Sequence, residues 1–392
     1  MKIKHFRFAL SSLSGLCLLA ALCSCERASP AQARARSLAQ SHGEIVIAVA
    51  WPLRQDDARL ANGVNLALEE INQAGGILGG RKIRLVFKDD QASLATGRMV
   101  AQEIADQPEV VAVIASLNSY IASAAARIYE QAGIVMVTPG ASGQNVTEHG
   151  QHLVFRSLPG NREQGRQIAA YAKTQRYKNI AIYYMKNDDG IDLVNHFEQG
   201  LTGSGITVAD RRSYQSDGDN YALVLADWAA FLKFDAIFLI GDGARCGQIL
   251  REARAAGIRV PVFAAGRPDS LRLLREAGPA ADGTVVFSLF NSDDPRPEVR
   301  SFSQRYQQRF GVAPDSAAAQ GYDTLKLLAS AMAQGNSIEP GQIASALRAM
   351  PDWRGVAGPL ALDQQGEAVG KRLVRLVVRD GRFHYVAPES LP

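Results

Sequence analysis

Cysteine is scarce in this chain: there are four in 392 residues, and three of them, Cys17, Cys23 and Cys25, fall in the first 25 positions. Cys246 alone remains for the body, which excludes an intrachain disulfide there. An excess of one charge is missing as well. Lys plus Arg total 43 against 39 Asp plus Glu, and Lys2, Lys4 and Arg7 at the start account for most of the surplus. A nearly neutral body has no electrostatic footprint for nucleic acid, so no such partner is expected. The stretch from Phe8 to Leu22 is diluted by Ser11, Ser12, Ser14 and Gly15, which makes it too short and too polar for a membrane span.

The machinery of catalysis is also lacking. His149 and His152 form an H-x-x-H pair with no third ligand and no H-E-x-x-H context, so no metal is expected. Gly241-Asp242-Gly243 followed by Gly247 misses the spacing of a dinucleotide loop, and Gly140-Ala141-Ser142-Gly143 is not a nucleophile elbow. There is no P-loop. The reading is a non-enzyme with no cofactor.

What is present begins with an export signal: a basic start, the short apolar stretch, then Leu22-Cys23-Ser24-Cys25, which resembles a bacterial lipobox. Residues 1–24 read as a lipoprotein signal peptide, and Cys25 as the lipid-bearing residue of a protein held at the periplasmic face of a membrane. Residues 25–43 are polar and alanine-rich, without strong periodicity, and read as a flexible tether.

From Glu44 onward, short β runs alternate with amphipathic helical stretches, the pattern of α/β proteins with parallel sheets. Strands are expected at Ile45–Ala50, Ile83–Phe87, Val110–Ala115 and Ile134–Val137. A second series runs through Asn179–Tyr184, Ile206–Ala209, Asp235–Ile240, Val260–Ala264 and Thr284–Ser288, and a hairpin around Asp380-Gly381 follows. A length of 392 residues favours two domains. The reading is two doubly wound parallel-sheet lobes joined by a multi-crossing hinge: 44–158 plus 289–360 as lobe I, 159–288 plus 361–388 as lobe II.

Two strand ends carry the ligand reading. Val110–Ala115 runs into Asn118 and Ser119, with Ser119 expected to cap a helix over Tyr120–Gln131 that stops at Gly133; Ile134–Val137 delivers Thr138, Gly140, Ala141 and Ser142. A helix start with a hydroxyl beside it favours an anion such as a carboxylate.

Three segments together resemble the type I periplasmic binding proteins of the leucine/isoleucine/valine-binding class. They are Ile71-Asn72-Gln73-Ala74-Gly75-Gly76-Ile77 with Lys88-Asp89-Asp90, the stretch Ile128-Tyr129-Glu130 through Ser142, and Gly247 through Gly257. The resemblance implies the substrate-binding component of an ABC importer, closing on an amino acid or amide solute and delivering it to a permease in the membrane. It places a carboxylate at Ser119 with adjacent N–H groups, and an amine or amide at the Gly140 carbonyl and Ser142 hydroxyl. Where the family presents tyrosines, this chain has Asp189 and Asp242, which would select a more polar side chain; Asp56 lies near another pocket position. The acidic partner of the ammonium has no counterpart in Ala264-Ala265-Gly266-Arg267, and Arg267 there would suit an anionic group instead. The family disulfide is missing, with Ala92 and Asn118 near its positions. An alternative on the same fold is a periplasmic ligand sensor, or a lipoprotein that activates an envelope enzyme.

Overall fold

The computed structural model describes residues 29–53, 59–148, 150–215 and 220–387. Cys17, Cys23, Cys25, Asp56 and His149, and with them the expected signal segment, lie outside the described residues.

Ile45–Trp51 (β1) is apolar along its whole length, and both faces are used. Ile45, Ile47, Val49 and Trp51 pack into one cluster, and Val46, Ala48 and Ala50 into another. A strand buried on both faces belongs in the middle of a parallel sheet. Its neighbours are Ile83–Asp89 (β2) and Val110–Ala115 (β3), continued by Val135–Thr138 (β4) and Val154–Arg156 (β5), in the order β2-β1-β3-β4-β5 with every pairing parallel.

The chain then runs through Asn179–Met185 (β6), Thr207–Tyr214 (β7), Ala236–Asp242 (β8), Val262–Arg267 (β9) and Val285–Ser288 (β10). Three short strands follow, Trp353–Gly355 (β11), Gly358–Leu362 (β12) and Ala368–Val369 (β13), and then the hairpin Val374–Arg379 (β14) and Arg382–Val386 (β15). The second sheet has the order β15-β14-β10-β9-β8-β6-β7, parallel except for β14 and β15. The α/β reading with two parallel-sheet units therefore holds. The strand β5 and the separate sheet β11-β12-β13 are additions that the sequence pattern did not announce. Their strands have two to five residues, too few to display a period. That small sheet spans residue 361, where the expected lobe boundary falls.

Helices cover the sheets: Pro30–Ala39 (α1), Arg59–Gln73 (α2), Leu94–Ala105 (α3), Ser119–Ala132 (α4), Asn161–Thr174 (α5), Asp188–Leu201 (α6), Tyr221–Phe231 (α7), Gly243–Ala255 (α8), Leu271–Ala277 (α9), Pro297–Phe310 (α10), Ser316–Gly335 (α11) and Pro340–Arg348 (α12). Helices α2 and α11 meet backbone to backbone, because a Cβ on Gly63 would lie 2.0 Å from the Ala318 carbonyl oxygen and one on Gly321 would lie 2.3 Å from that of Leu60. Larger residues would force them apart.

Helix α1 corrects the expected tether. Ser29 and Gln32 form a reciprocal capping box around Pro30 at the first helical position. The buried Arg34 guanidinium donates to the carbonyls of Ala132 (2.7 Å), Gln107 (2.6 Å) and Val110 (2.7 Å), and also to that of Ala105. Ala105 and Ala132 end α3 and α4, so one cation satisfies carbonyls at two negative helix ends.

Buried charge fastens the small third sheet to the first sheet and to α11. Arg156, fully buried, donates to Glu367 at 2.7 Å and to the Thr147 hydroxyl at 3.0 Å. Asp323 accepts from the N–H groups of Val356 and Ala357, both at 2.8 Å. Burial raises its pKa to about 6, against the pull of Lys371 and those hydrogen bonds. Lys371 is pushed below its ordinary value by the same burial.

Candidate functional site

Ligands of open parallel sheets sit beyond the carboxyl ends of the strands. Here those ends face one another. The residues after β1, β3 and β4 and those after β8, β9 and β10 line a single cavity of about 580 Å³, joined by a pocket of about 40 Å³ that reaches Asp189. Trp51, Leu117, Leu158 and Phe287 supply apolar wall. Gly140, Ser142, Asp242 and Arg267 supply polar wall, and all four line both spaces. The larger volume is that of a small-molecule site.

On the first-sheet side the geometry is set by Thr138, whose hydroxyl accepts from the N–H groups of Gly140 (3.3 Å) and Ala141 (3.0 Å) and donates to the Ser116 carbonyl (3.1 Å). That local turn brings Gly140 to the wall, where a Cβ would come within 2.5 Å of the Trp51 ring. Ser142 is half-exposed and lines the cavity, while its carbonyl accepts from the Asn161 N–H at 2.8 Å. Ala141 is buried and turned into the core.

Ser119 is not the helix cap that the sequence suggests. Helix α4 begins on it, with Asn118 in the cap position and making no side-chain cap bond. The Ser119 hydroxyl accepts from the buried Gly143 N–H at 2.8 Å, joining the two first-sheet loops. Its own N–H lies 3.5 Å from Asp189 Oδ2, so a carboxylate does sit at this helix start, but the chain provides it. Neither Asn118 nor Ser119 lines the cavity. The Asn118 side-chain oxygen is buried without a partner. Near the expected position of the missing disulfide, the Tyr120 hydroxyl donates to the Ala92 carbonyl at 2.7 Å and ties the loop after β2 to α4.

On the second-sheet side Asn187 caps α6 by accepting from Gly190 at 2.8 Å, which sets Asp189 in the first turn. Asp189 is half-buried and its Oδ1 has no hydrogen-bond partner. Desolvation holds its pKa above the ordinary carboxylate value, opposed by hydrogen bonds from Ser119 and by the attraction of Arg267. Asp242 combines two roles that the sequence left open: it caps α8, accepting from the Arg245 N–H at 3.0 Å, and it lines the cavity. Arg267 ends β9 and is exposed into the cleft.

Sequence reasoning missed Asp269. Buried just after β9, it accepts from the Ser288 hydroxyl at 2.6 Å, and burial raises its pKa while the hydroxyls of Ser288 and Ser316 lower it. It thus binds the end of the second sheet to the start of α11. Its position beyond a strand end was the available signal. Among the described residues no group of three His, Cys, Asp or Glu is placed to hold a metal, and no helix is long and apolar enough to cross a membrane.

The sequence profile of the family described as periplasmic binding protein matches residues 35–381. The chain belongs to the periplasmic binding protein family. This periplasmic binding protein is 29% identical to the Leu/Ile/Val/Thr-binding protein of Salmonella typhimurium over 335 residues, 83% of this chain and 88% of the relative. It is 36% identical to an ABC transporter substrate-binding protein from Desulfitobacterium hafniense solved in complex with Leu, with a TM-score of 0.76 over 88% of this chain and all of the other. A leucine-binding protein from Thermotoga maritima superposes with a TM-score of 0.80 at 25% identity, over 88% of this chain and 98% of that one.

Proposed function

We propose that this chain is the solute-binding component of an ABC importer, taking up an amino acid or an amino-acid-like or amide solute. The observation that carries the reading is the cavity of about 580 Å³ between two sheets, walled by apolar side chains and a few polar groups from both. The Leu-bound relative at 36% identity supports an amino-acid-sized occupant. Residues 44–158 with 289–360 and residues 159–288 with 361–388 move as two lobes, opening to admit solute and closing to exclude water. Gly140 and Ser142 meet an amine or amide of the solute from the first lobe, and Asp242 meets its polar groups from the second. Transport is driven by nucleotide hydrolysis in a partner assembly that includes the permease. The protein works as a binder, not an enzyme, after export to the periplasmic side, where a lipid on Cys25 would hold it at the membrane.

Calorimetry with neutral, basic and acidic amino acids tests the reading. Saturable heat with one of them and a matching rise in melting temperature are expected, about 2.7 kcal/mol of stabilisation at a hundredfold excess over Kd. Silence from all three classes, with no melting shift, would remove it.

A further inference from the structure

The expected carboxylate site of the first lobe, the start of α4, is already faced by the carboxylate of Asp189, 3.5 Å from the Ser119 N–H. The Ser119 hydroxyl accepts from Gly143. A second carboxylate brought to the same helix start would meet Asp189 as a like charge, which is unfavourable at such range.

Three arginines line the cavity, Arg245, Arg267 and Arg272, and the first and last already have interactions within the protein. Its three wall carboxylates are engaged by the protein: Asp242 by the Arg245 N–H at 3.0 Å, Asp269 by the Ser288 hydroxyl at 2.6 Å, and Asp315 by the Ala318 N–H at 3.0 Å and by Arg59, also at 3.0 Å. Arg267 stands on the same wall and is exposed into the cleft. Among the described residues its side chain makes no hydrogen bond and no ion pair, and its charge acts on Asp189, lowering that carboxyl's pKa. A guanidinium carries five fixed donors and matches a carboxylate in a two-pronged bond. Beside it, Trp51, Leu117, Leu158 and Phe287 leave apolar surface for the rest of a molecule.

We infer that Arg267, on the second lobe, is the residue that binds the solute's carboxylate and makes the site select for one, while Asp189 blocks the helix start that would otherwise hold it. The inference rests on the solute-binding reading above. It reverses the polarity expected from the family resemblance: the carboxylate is gripped by a side chain of lobe II, and an amine, where the solute has one, points toward the Gly140 carbonyl and Ser142 hydroxyl of lobe I. The substrate class is a carboxylate with an apolar body, an α-amino acid included.

The test pairs ligand and residue changes. Leucine, leucinamide, which lacks the carboxylate, and 4-methylpentanoate, which lacks the amine, are titrated calorimetrically into the full folded protein and into Arg267→Gln and Ser119→Ala, with melting curves recorded for each. The expected result is binding of leucine or 4-methylpentanoate, but not leucinamide, by the wild type. Affinity for the bound carboxylate should fall roughly 10- to 100-fold in Arg267→Gln, the range of a hydrogen bond to a charged group, and hold within about threefold in Ser119→Ala. If Arg267→Gln weakens leucinamide as much as leucine, or leaves leucine unchanged while Ser119→Ala abolishes its binding, the role of Arg267 is overturned and the solute-binding reading stands. If none of the three compounds binds the wild type but another amino acid without loss in Arg267→Gln does, the outcome is the same. If no amino acid or carboxylate binds at all, the solute-binding reading fails, and this inference with it.

Discussion

On the first-sheet side of the cleft the polar groups are backbone and small side chains, with Gly140 and Ser142 held by the Thr138 turn, whereas the second-sheet side presents the long or charged side chains Asp189, Asp242 and Arg267. The first side is inseparable from the fold. Gly140 touches Trp51, and the Ser142 carbonyl accepts from the Asn161 N–H, so each group that faces the cleft also closes a packing or hydrogen-bonding requirement behind it. The second side holds side chains at strand and helix ends whose removal leaves the sheet intact. A binding protein built this way can keep one half as scaffold and alter its solute through the other.

That contrast is sharpest where the two sides are mutated in turn. The largest loss is expected from Gly140→Val, because a branched side chain cannot fit 2.5 Å from the Trp51 ring and 3.1 Å from the Leu117 backbone. Overpacking of this kind costs about 1–3 kcal/mol or more, and a denaturant melt should show a lowered midpoint with an unchanged slope. Ser119→Ala comes next. It leaves the buried Gly143 N–H without its acceptor, a cost of about 1–3 kcal/mol on the same measurement. Asp242→Ala, on the second side, removes only the cap of α8, about 1 kcal/mol. Equal losses at Gly140 and Asp242 would erase the distinction.

The smallest effect is one of pH. The folded-state pKa of Asp189 lies above its unfolded value, so the stability it contributes is present below the ordinary carboxylate range and is lost as pH rises through the raised pKa. Asp189→Asn should therefore gain on the wild type as pH rises from 4 to 7, by less than about 1 kcal/mol given partial exposure of the group to solvent. Melting curves of both proteins across that range measure it. A difference that shrinks with rising pH would mean the carboxylate is stabilised in place, and the second side would then be scaffold as well.

The sequence carried the sheets because central parallel strands are apolar on both faces: Val110–Ala115 was readable as a strand from its six apolar residues alone. Gly133 ends α4 with a left-handed φ of 70°, as a glycine after a helical run suggests. Short strands such as β13, with two residues, carry no period and were not legible. The capping signature Ser29-Pro30-Ala31-Gln32 is legible in the sequence, but the polar, alanine-rich composition around it points to a tether, and the partners of Arg34 are carbonyls some 70 to 100 positions away. In the site, Gly140 and Ser142 followed from the strand end that carries them. The position of Ser119 did not, since whether a serine caps a helix or begins it turns on one residue of register that Asn118 could equally supply. The meeting of Ser119 with Asp189 depends on the approach of two lobes, which no local pattern encodes.

The central claim is that the cleft between the sheets captures one dissolved solute. A crystal structure of the protein purified from its native host tests it directly. The expected result is density for a single small carboxylate between Ser142 and Arg267, with the apolar body against Trp51 and Phe287. Arg267 turned away into solvent, with that space closed by the protein's own side chains, would contradict it.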